Sequence, residues 1–250
     1  MLNFSVIAVI ASFAYALESI FGFGGTIIFL GVSGLLYDFN SLLKLAMFVA
    51  ISSGLAVLIQ SYKHVSWKHL IQILIYTIPG ALLGTYLITY LDSNLLIKLF
   101  AMILIIYGCF NLFFPDREIP SYLKKSLVVL GGVIQGIYTI GGPFVLMGYK
   151  DHFSSKQELR ATMAGYFFLI NLGRAIFLIS LGESYIEIIQ TYYPVAILVM
   201  ISVWLGYLVH KRIPEFLFKK LIILAITTST FFGCSGTKAF KNKKPIRRSK

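Results

Sequence analysis

Apolar positions along the chain come in successive blocks, with polar residues confined between them. The blocks run from about Leu2 to Phe23, Thr26 to Tyr37, Leu42 to Tyr62, Leu70 to Leu91 and Leu95 to Phe114. After a polar linker from Pro115 to Lys125 the pattern restarts, from Ser126 to Ile140, Pro143 to Tyr149, Leu159 to Leu181, Ile188 to Val209 and Phe216 to Phe232. Most blocks hold roughly 20 residues, and at about 1.5 Å rise per residue such a helix matches a hydrocarbon core of about 30 Å. The pattern predicts an all-α polytopic membrane protein. Two segments in each series are short, and both flank a Gly-Gly pair.

The restart is a repeat. Glu18-Ser-Ile-Phe-Gly-Phe-Gly-Gly25 lies over Gln135-Gly-Ile-Tyr-Thr-Ile-Gly-Gly142 without a gap. Further matches come in order: Lys44-Leu-Ala-Met47 over Arg160-Ala-Thr-Met163, Leu83-Gly84 over Leu205-Gly206, and Asn94-Leu-Leu-Ile-Lys98 over Phe216-Leu-Phe-Lys-Lys220. The chain therefore reads as two copies of one helical unit, residues 1–114 and 124–233, joined by a linker at 115–123 and followed by a basic tail at 234–250.

The role of each Gly-Gly break decides how the copies are oriented. If each break, at 22–25 and at 141–143, is a hairpin tip followed by three full spans, the repeats are inverted. Loop charges then segregate: Lys63, Lys68, Arg117, Lys124, Lys125, Lys150, Lys156, Arg160, Lys211 and Arg212 fall on one side, and only Lys44 and Lys98 on the other. If each break instead lies within one crossing span, the bias vanishes. The charge pattern favours hairpins and inverted repeats. The tail, with seven basic residues from Lys238 to Lys250, fits that topology least well and reads as disordered.

Composition agrees with a membrane protein, at 58% hydrophobic and only 13% charged residues. The net charge of +12 does not point to nucleic acid, because the basic residues sit in short loops and one tail, with no folded basic face. The location expected is the cell (cytoplasmic) membrane, multi-pass. Residues 1–24 carry no basic n-region and no small-residue cleavage pattern, so the first segment is expected to remain in the mature protein. Cys109 and Cys234 are too few for a disulfide framework and read as buried small hydrophobes. His64, His69, His152 and His210 lie in or beside loops, without the spacing of a metal site, and no cofactor is expected.

The glycine breaks carry the candidate chemistry. Irregular backbone at membrane depth is costly unless it is buried in protein or lines a wet cavity. In Phe21-Gly-Phe-Gly-Gly-Thr26 and Tyr138-Thr-Ile-Gly-Gly-Pro143 a helix restarts at once after the break, and Pro143 suits a first helical position, where no amide hydrogen is needed. Each break would aim a helix N-terminus into the protein, an anion site of the kind found at transporter midplanes. The competing reading is that these glycines serve only close helix packing.

This pattern resembles the TauE/SafE sulfite-exporter family of membrane permeases over nearly everything except the tail. Phe21-Gly22-Phe23-Gly24-Gly25 resembles the first hairpin of that family, and Gly136, Gly141, Gly142 and Pro143 resemble its second. The stretch Lys156-Gln-Glu-Leu-Arg160-Ala-Thr162 and Asn171-Leu-Gly-Arg174 resembles the family's usual pattern after the second hairpin. Two departures stand in the first half: a Gly-Gly where the family has three glycines, and Gly31 or Val32 where it has proline. The resemblance implies export or uptake of sulfite, a sulfonate or a related sulfur-containing anion, whereas the residues themselves ask only for a small anion.

The residues expected to bind substrate are Gly22, Gly24, Gly25, Thr26, Gln135, Tyr138, Gly141, Gly142, Pro143, Asn171 and Arg174. Glu18, an intramembrane carboxylate, is the candidate for a coupling proton, against the alternative of a helix-to-helix hydrogen bond. Arg174 could instead snorkel to the interface or join a structural pair. Lys44 and Arg160 read mainly as interfacial anchors. The expected partners are a small anionic substrate and the bilayer, with a homo-oligomer left open. No phosphate-binding loop and no nucleophile with a neighbouring histidine lie in the spans, so the chain is not expected to be an enzyme. The alternatives to a secondary transporter are a passive anion channel, a non-catalytic membrane factor and, last, an intramembrane enzyme.

Overall fold

The computed structural model describes residues 3–22, 24–113 and 119–210, and the described residues are helical almost throughout. The helices are α1 (Phe4–Phe21), α2 (Gly25–Ser33), α3 (Phe39–Ser61), α4 (Trp67–Ile88), α5 (Ser93–Phe113), α6 (Ser121–Tyr138), α7 (Gly142–Tyr149), α8 (Lys156–Ser180) and α9 (Ile186–His210). Five of them, α3, α4, α5, α8 and α9, are long and apolar enough to cross a membrane. The chain is a multi-pass helical protein. The block at Phe216–Phe232, Cys234, the tail and residues 115–118 of the linker lie outside the described residues.

Local chemistry sets the helix ends. Asn3 caps α1 through Ser5 N–H, and Asp38 caps α3 through Ser41 N–H. Ser155 accepts from Glu158 N–H at 3.1 Å while Glu158 reaches back to Ser154 N–H at 2.9 Å, a reciprocal cap that starts α8. Helix α6 begins at Ser121, inside the segment expected to be linker. Lys124 and Lys125 belong to its first turns, where Lys124 pairs with Asp151 at 2.7 Å.

Each glycine break is a hairpin. Helix α2 folds back on α1, with Tyr15 OH 3.0 Å from Thr26 Oγ1 and the Tyr15 ring 6.4 Å from that of Phe29. Helix α7 returns along α6: Gly131 faces Phe144 and Val145 near the tip, and Gly148 faces Val128 and Lys124 at the far end. The turn from each hairpin into the next long helix brings α3 and α8 to the centre, packed on each other.

Small residues set the closest approaches. Gly80 and Gly84 on α4 face Gly132 and Gly136 on α6, where an added Cβ would strike backbone in every case, so the two helices pack backbone to backbone. The same contact recurs elsewhere. A Cβ on Gly84 would meet Val133 O and Gly136 Cα, and one on Gly206 of α9 would meet Ala16 O and Ser19 Cβ on α1. The pairs α4–α6 and α1–α9 thus pack through matching positions, and α3–α9 is matched by α8–α4.

Large apolar side chains such as Val9, Ile75, Ile106 and Ile176 are exposed on the outer faces of this bundle, as a lipid-facing surface requires. Cys109, expected to be buried, is exposed on α5, where no neighbour among the described residues covers it, and a thiol costs little against lipid.

Candidate functional site

The two breaks share one cavity. Its lining comprises Glu18, Gly24, Thr26 and Ile27 from the first hairpin, Thr139, Ile140, Gly142 and Pro143 from the second, Ala50 from α3, and Phe167 and Asn171 from α8. Of the residues expected to bind substrate, Gly24, Thr26, Gly142, Pro143 and Asn171 meet here, with Glu18 beside them. The cavity is narrow.

Both tips use left-handed backbone at equivalent positions. Gly22 has φ +84° and Thr139 has φ +64°, and the offset of 117 residues that lays Glu18 over Gln135 also lays Gly22 over Thr139. Glycine adopts this conformation freely, whereas a β-branched residue pays roughly 1–2 kcal/mol. Thr139 is held there by Arg174, whose Nη1 donates to its Oγ1 at 2.8 Å. Gly24, at φ +98°, completes the first turn.

The returning helices do not present bare N-termini. Glu18 Oε2 accepts Gly25 N–H at 2.9 Å, and Gln135 Oε1 accepts Gly141 N–H at 2.7 Å. Residues 18 and 135 are equivalent caps, one a carboxyl and one an amide. This corrects the expectation of freely offered N–H groups: at the first break a carboxyl of the protein's own already takes that place. Ser53 Oγ donates to the other Glu18 oxygen at 3.3 Å.

Behind the second tip lies a buried polar network. Arg174 does not snorkel. Its Nε donates to Thr85 Oγ1 at 3.0 Å, Nη1 to Asn171 Oδ1 at 3.0 Å as well as to Thr139, and Nη2 to the carbonyl of Gly136. Gln135 Nε2 also donates to Asn171 Oδ1, at 3.0 Å. Because a guanidinium can only donate, the oxygen of Asn171 must face it, and this fixes the amide orientation. The Nδ2 of Asn171 is then buried, on a residue that lines the cavity, with no hydrogen-bond partner among the described residues. It is a donor without an acceptor.

Several residues expected to bind substrate do not line this cavity. Tyr138 points away from the cavity: its hydroxyl donates to Leu96 O at 2.9 Å and its ring packs against Phe39 and Phe100. Gly141 has no room for a Cβ, which would meet Gly131 O and Gln135. Gln135 and Arg174 stand one layer behind the wall, and Gly25 closes against Glu18. Gly22 lines a neighbouring cavity.

Arg160 is no interfacial anchor. It is buried, and Nε and Nη2 donate to Ser19 O at 3.0 Å and Ser19 Oγ at 3.1 Å, with the guanidinium 4.8 Å from the Tyr207 ring centroid. Ser19 is the repeat equivalent of Gly136, so Arg160 and Arg174 grip the same carbonyl in the two hairpins. The sequence carried a signal for it, since a cation in the first turns of a helix opposes the helix dipole and needs a compensating partner. Lys44 pairs with Glu183, as an anchor can. Thr139 and Phe167 were not singled out from the sequence; Thr139 was within reach through its overlay on Gly22.

The histidines also cluster more than their spacing suggests: His69 Nδ1 lies 3.8 Å from Glu158 Oε1, and its ring centroid is 6.0 Å from that of His152. Among the described residues no group of three or more His, Cys, Asp or Glu side chains could hold a metal ion.

A family model described as "Sulfite exporter TauE/SafE" aligns with residues 7–232. No curated protein and no solved structure matches the chain.

Proposed function

The chain belongs to the sulfite exporter TauE/SafE family, a family of membrane transporters, and from that premise we propose that it is a secondary transporter of a small anion held between its two hairpin tips. Sulfite, a sulfonate or a related sulfur-containing organic anion is the substrate class, and the cell membrane its location. The observation that carries the reading is the Nδ2 of Asn171: a buried donor, oriented by two donors behind it, on the wall of a cavity that both tips border. A buried unpaired N–H is costly. An anion would satisfy it, with Thr26 and Thr139 hydroxyls alongside and the N-terminus of α7 behind.

The two halves, residues 1–114 and 124–233, act as inverted repeats in this proposal. The reciprocal packing of α4 on α6 and α1 on α9 supports it. So do the arginines: Arg160 near the start of α8 grips the first tip, and Arg174 grips the second some 14 residues on, about 21 Å along the helix. Tips held at opposite ends of one helix enter from opposite sides. Glu18, at the first tip, is the group proposed to carry a coupling proton.

Exchange of labelled against unlabelled sulfite in proteoliposomes tests the function. A carrier supports counterflow; a passive channel gives only net flux, and an enzyme neither. Substitution Asn171→Leu is expected to weaken anion binding roughly tenfold to a hundredfold, the worth of one charge-assisted hydrogen bond of about 1.5–3 kcal/mol. No counterflow with sulfite, sulfonates or carboxylates, or unaltered affinity in Asn171→Leu, would overturn the proposal.

A further inference from the structure

Two more cavities share lining residues in succession with the central one. An open cleft on the side of the α3–α4 turn is lined by Ser61, His64, Ser155, Lys156, Gln157, Arg160 and Tyr207. A small antechamber comes next, lined by Glu18, Gly22, Ser53, Gly54, Val57, Arg160, Ala164 and Phe167. The cleft and the antechamber have Arg160 in common, and the antechamber and the central cavity have Glu18 and Phe167 in common.

The walls are helical stripes. On α8 the lining residues step through Gln157, Arg160, Ala164, Phe167 and Asn171, alternating three and four residues, which is one face of a helix. On α3 they step through Ser61, Val57, Gly54 and Ala50, at the same spacing in the opposite order along the chain. The two facing stripes therefore run together from the open cleft to the site, and the residues common to neighbouring cavities, Arg160 and then Glu18 and Phe167, mark the junctions between them. Arg160 closes the first junction by its bonds to Ser19 and its stack on Tyr207. The Phe167 ring, resting against Gly142, closes the second with Glu18.

We infer that the three cavities are successive parts of one entry path for the anion from the α3–α4 turn side, with Arg160 as the outer gate that selects for negative charge and Phe167 as the inner one. The inference rests on the proposed transport of an anion. A guanidinium at a junction offers an incoming anion an alternative to the Ser19 carbonyl and hydroxyl. The anion exchanges for Ser19, and the side chain swings with it. Cations meet a fixed positive charge at the same place.

Accessibility of single cysteines tests the path without measuring transport. With Cys109 and Cys234 replaced by serine, one cysteine is placed in each part: Ser61→Cys in the cleft, Val57→Cys in the antechamber and Ala50→Cys in the central cavity. Ser184→Cys, in the α8–α9 turn, marks the opposite side. Membrane-impermeant methanethiosulfonates, one bearing a sulfonate and one a trimethylammonium group, are applied to vesicles of each orientation.

Ser61→Cys and Val57→Cys are expected to react from one side only, Ser184→Cys from the other only, and Ala50→Cys, in the central cavity, from the Ser61 side among others. In Arg160→Gln the sulfonate reagent should reach Ala50→Cys roughly tenfold or more slowly, as expected for loss of a charge that concentrates counter-ions. Its rate at Ser61→Cys should hold, and the cationic reagent should not slow. Arg160→Lys, which keeps the charge if Arg160→Gln fails to fold, should keep the preference for the sulfonate. Labelling of Val57→Cys from the Ser184 side, or an anion-to-cation ratio unchanged in Arg160→Gln, overturns the inference. Failed counterflow with this labelling pattern intact would count against the transport proposal and leave the path standing.

Discussion

Arg174 is predicted to hold the second hairpin tip in a strained conformation, and replacing it with methionine, which keeps the apolar stem and removes every donor, tests that. Four acceptors lose a partner: Thr85 Oγ1, Thr139 Oγ1, Asn171 Oδ1 and Gly136 O. At about 1.5 kcal/mol for each charge-assisted bond the gross loss is about 6 kcal/mol. Part returns, because the guanidinium no longer pays several kcal/mol for leaving water, and because Asn171 Oδ1 keeps Gln135 Nε2 and Gly136 O keeps Thr85 Oγ1 at 3.3 Å. The net destabilisation expected is about 2–4 kcal/mol, read as a fall of about 5–15 °C in apparent unfolding temperature in detergent.

The sharper readout is a sign change at Thr139. In the native background Thr139→Gly relieves about 1–2 kcal/mol of backbone strain but gives up the bond to Arg174, so it should be neutral or destabilising. In Arg174→Met that bond is already gone, and the same substitution should stabilise by about 1 kcal/mol. Equal effects of Thr139→Gly in the two backgrounds would refute the coupling.

The tips yield three further expected outcomes. Gly141→Ala should fail to fold or lose about 1–3 kcal/mol or more, because its Cβ would press on the backbone carbonyl of Gly131; normal yield and unfolding temperature would contradict that packing. Gly24→Ala has open space around it and pays only for φ +98°, about 1–2 kcal/mol, so it should fold with a modest loss measurable by thermal unfolding. Glu18→Gln should keep the cap on Gly25, as Gln135 caps Gly141, and cost no more than about 1–2 kcal/mol. It should abolish dependence of transport on a pH gradient while sparing anion binding; unchanged pH dependence would remove Glu18 from the coupling role.

The helices were legible because a membrane demands long uninterrupted apolar runs, and each described helix starts or ends within a few residues of its block. The hairpins were legible from paired glycines and loop charge. Which side chains meet across the bundle was not. Tyr138 is adjacent in sequence to the break, yet the α6 helix points its ring toward α5, where Leu96 O waits. Arg160 sits close to a block end, where basic residues usually serve as anchors, and its partner Ser19 is 141 residues away in the chain. Periodicity says which face a residue occupies and nothing of the groups the opposite helix presents to it. Residue 18 and residue 135 were paired by the overlay, but their common task, capping the helix that returns, needed the turn geometry.

That common task gives the duplication its chemical point. Two equivalent tips would be expected to attract an anion equally, since each aims a helix N-terminus at the same cavity. They have diverged in charge instead. The first tip caps its helix with Glu18, gives Ser19 to Arg160 and turns on a glycine; the second caps with the neutral amide of Gln135, gives the Gly136 carbonyl to Arg174 and turns on a strained threonine. A carboxyl at one N-terminus competes with any anion there, while at the other the amide leaves the dipole uncompensated and Arg174 behind it adds positive potential. The unpartnered Asn171 amide belongs to this second network. In the transport we propose, the two tips serve as unlike half-sites in one cavity, the first offering a carboxyl to a proton and the second a hydrogen-bond donor to an anion.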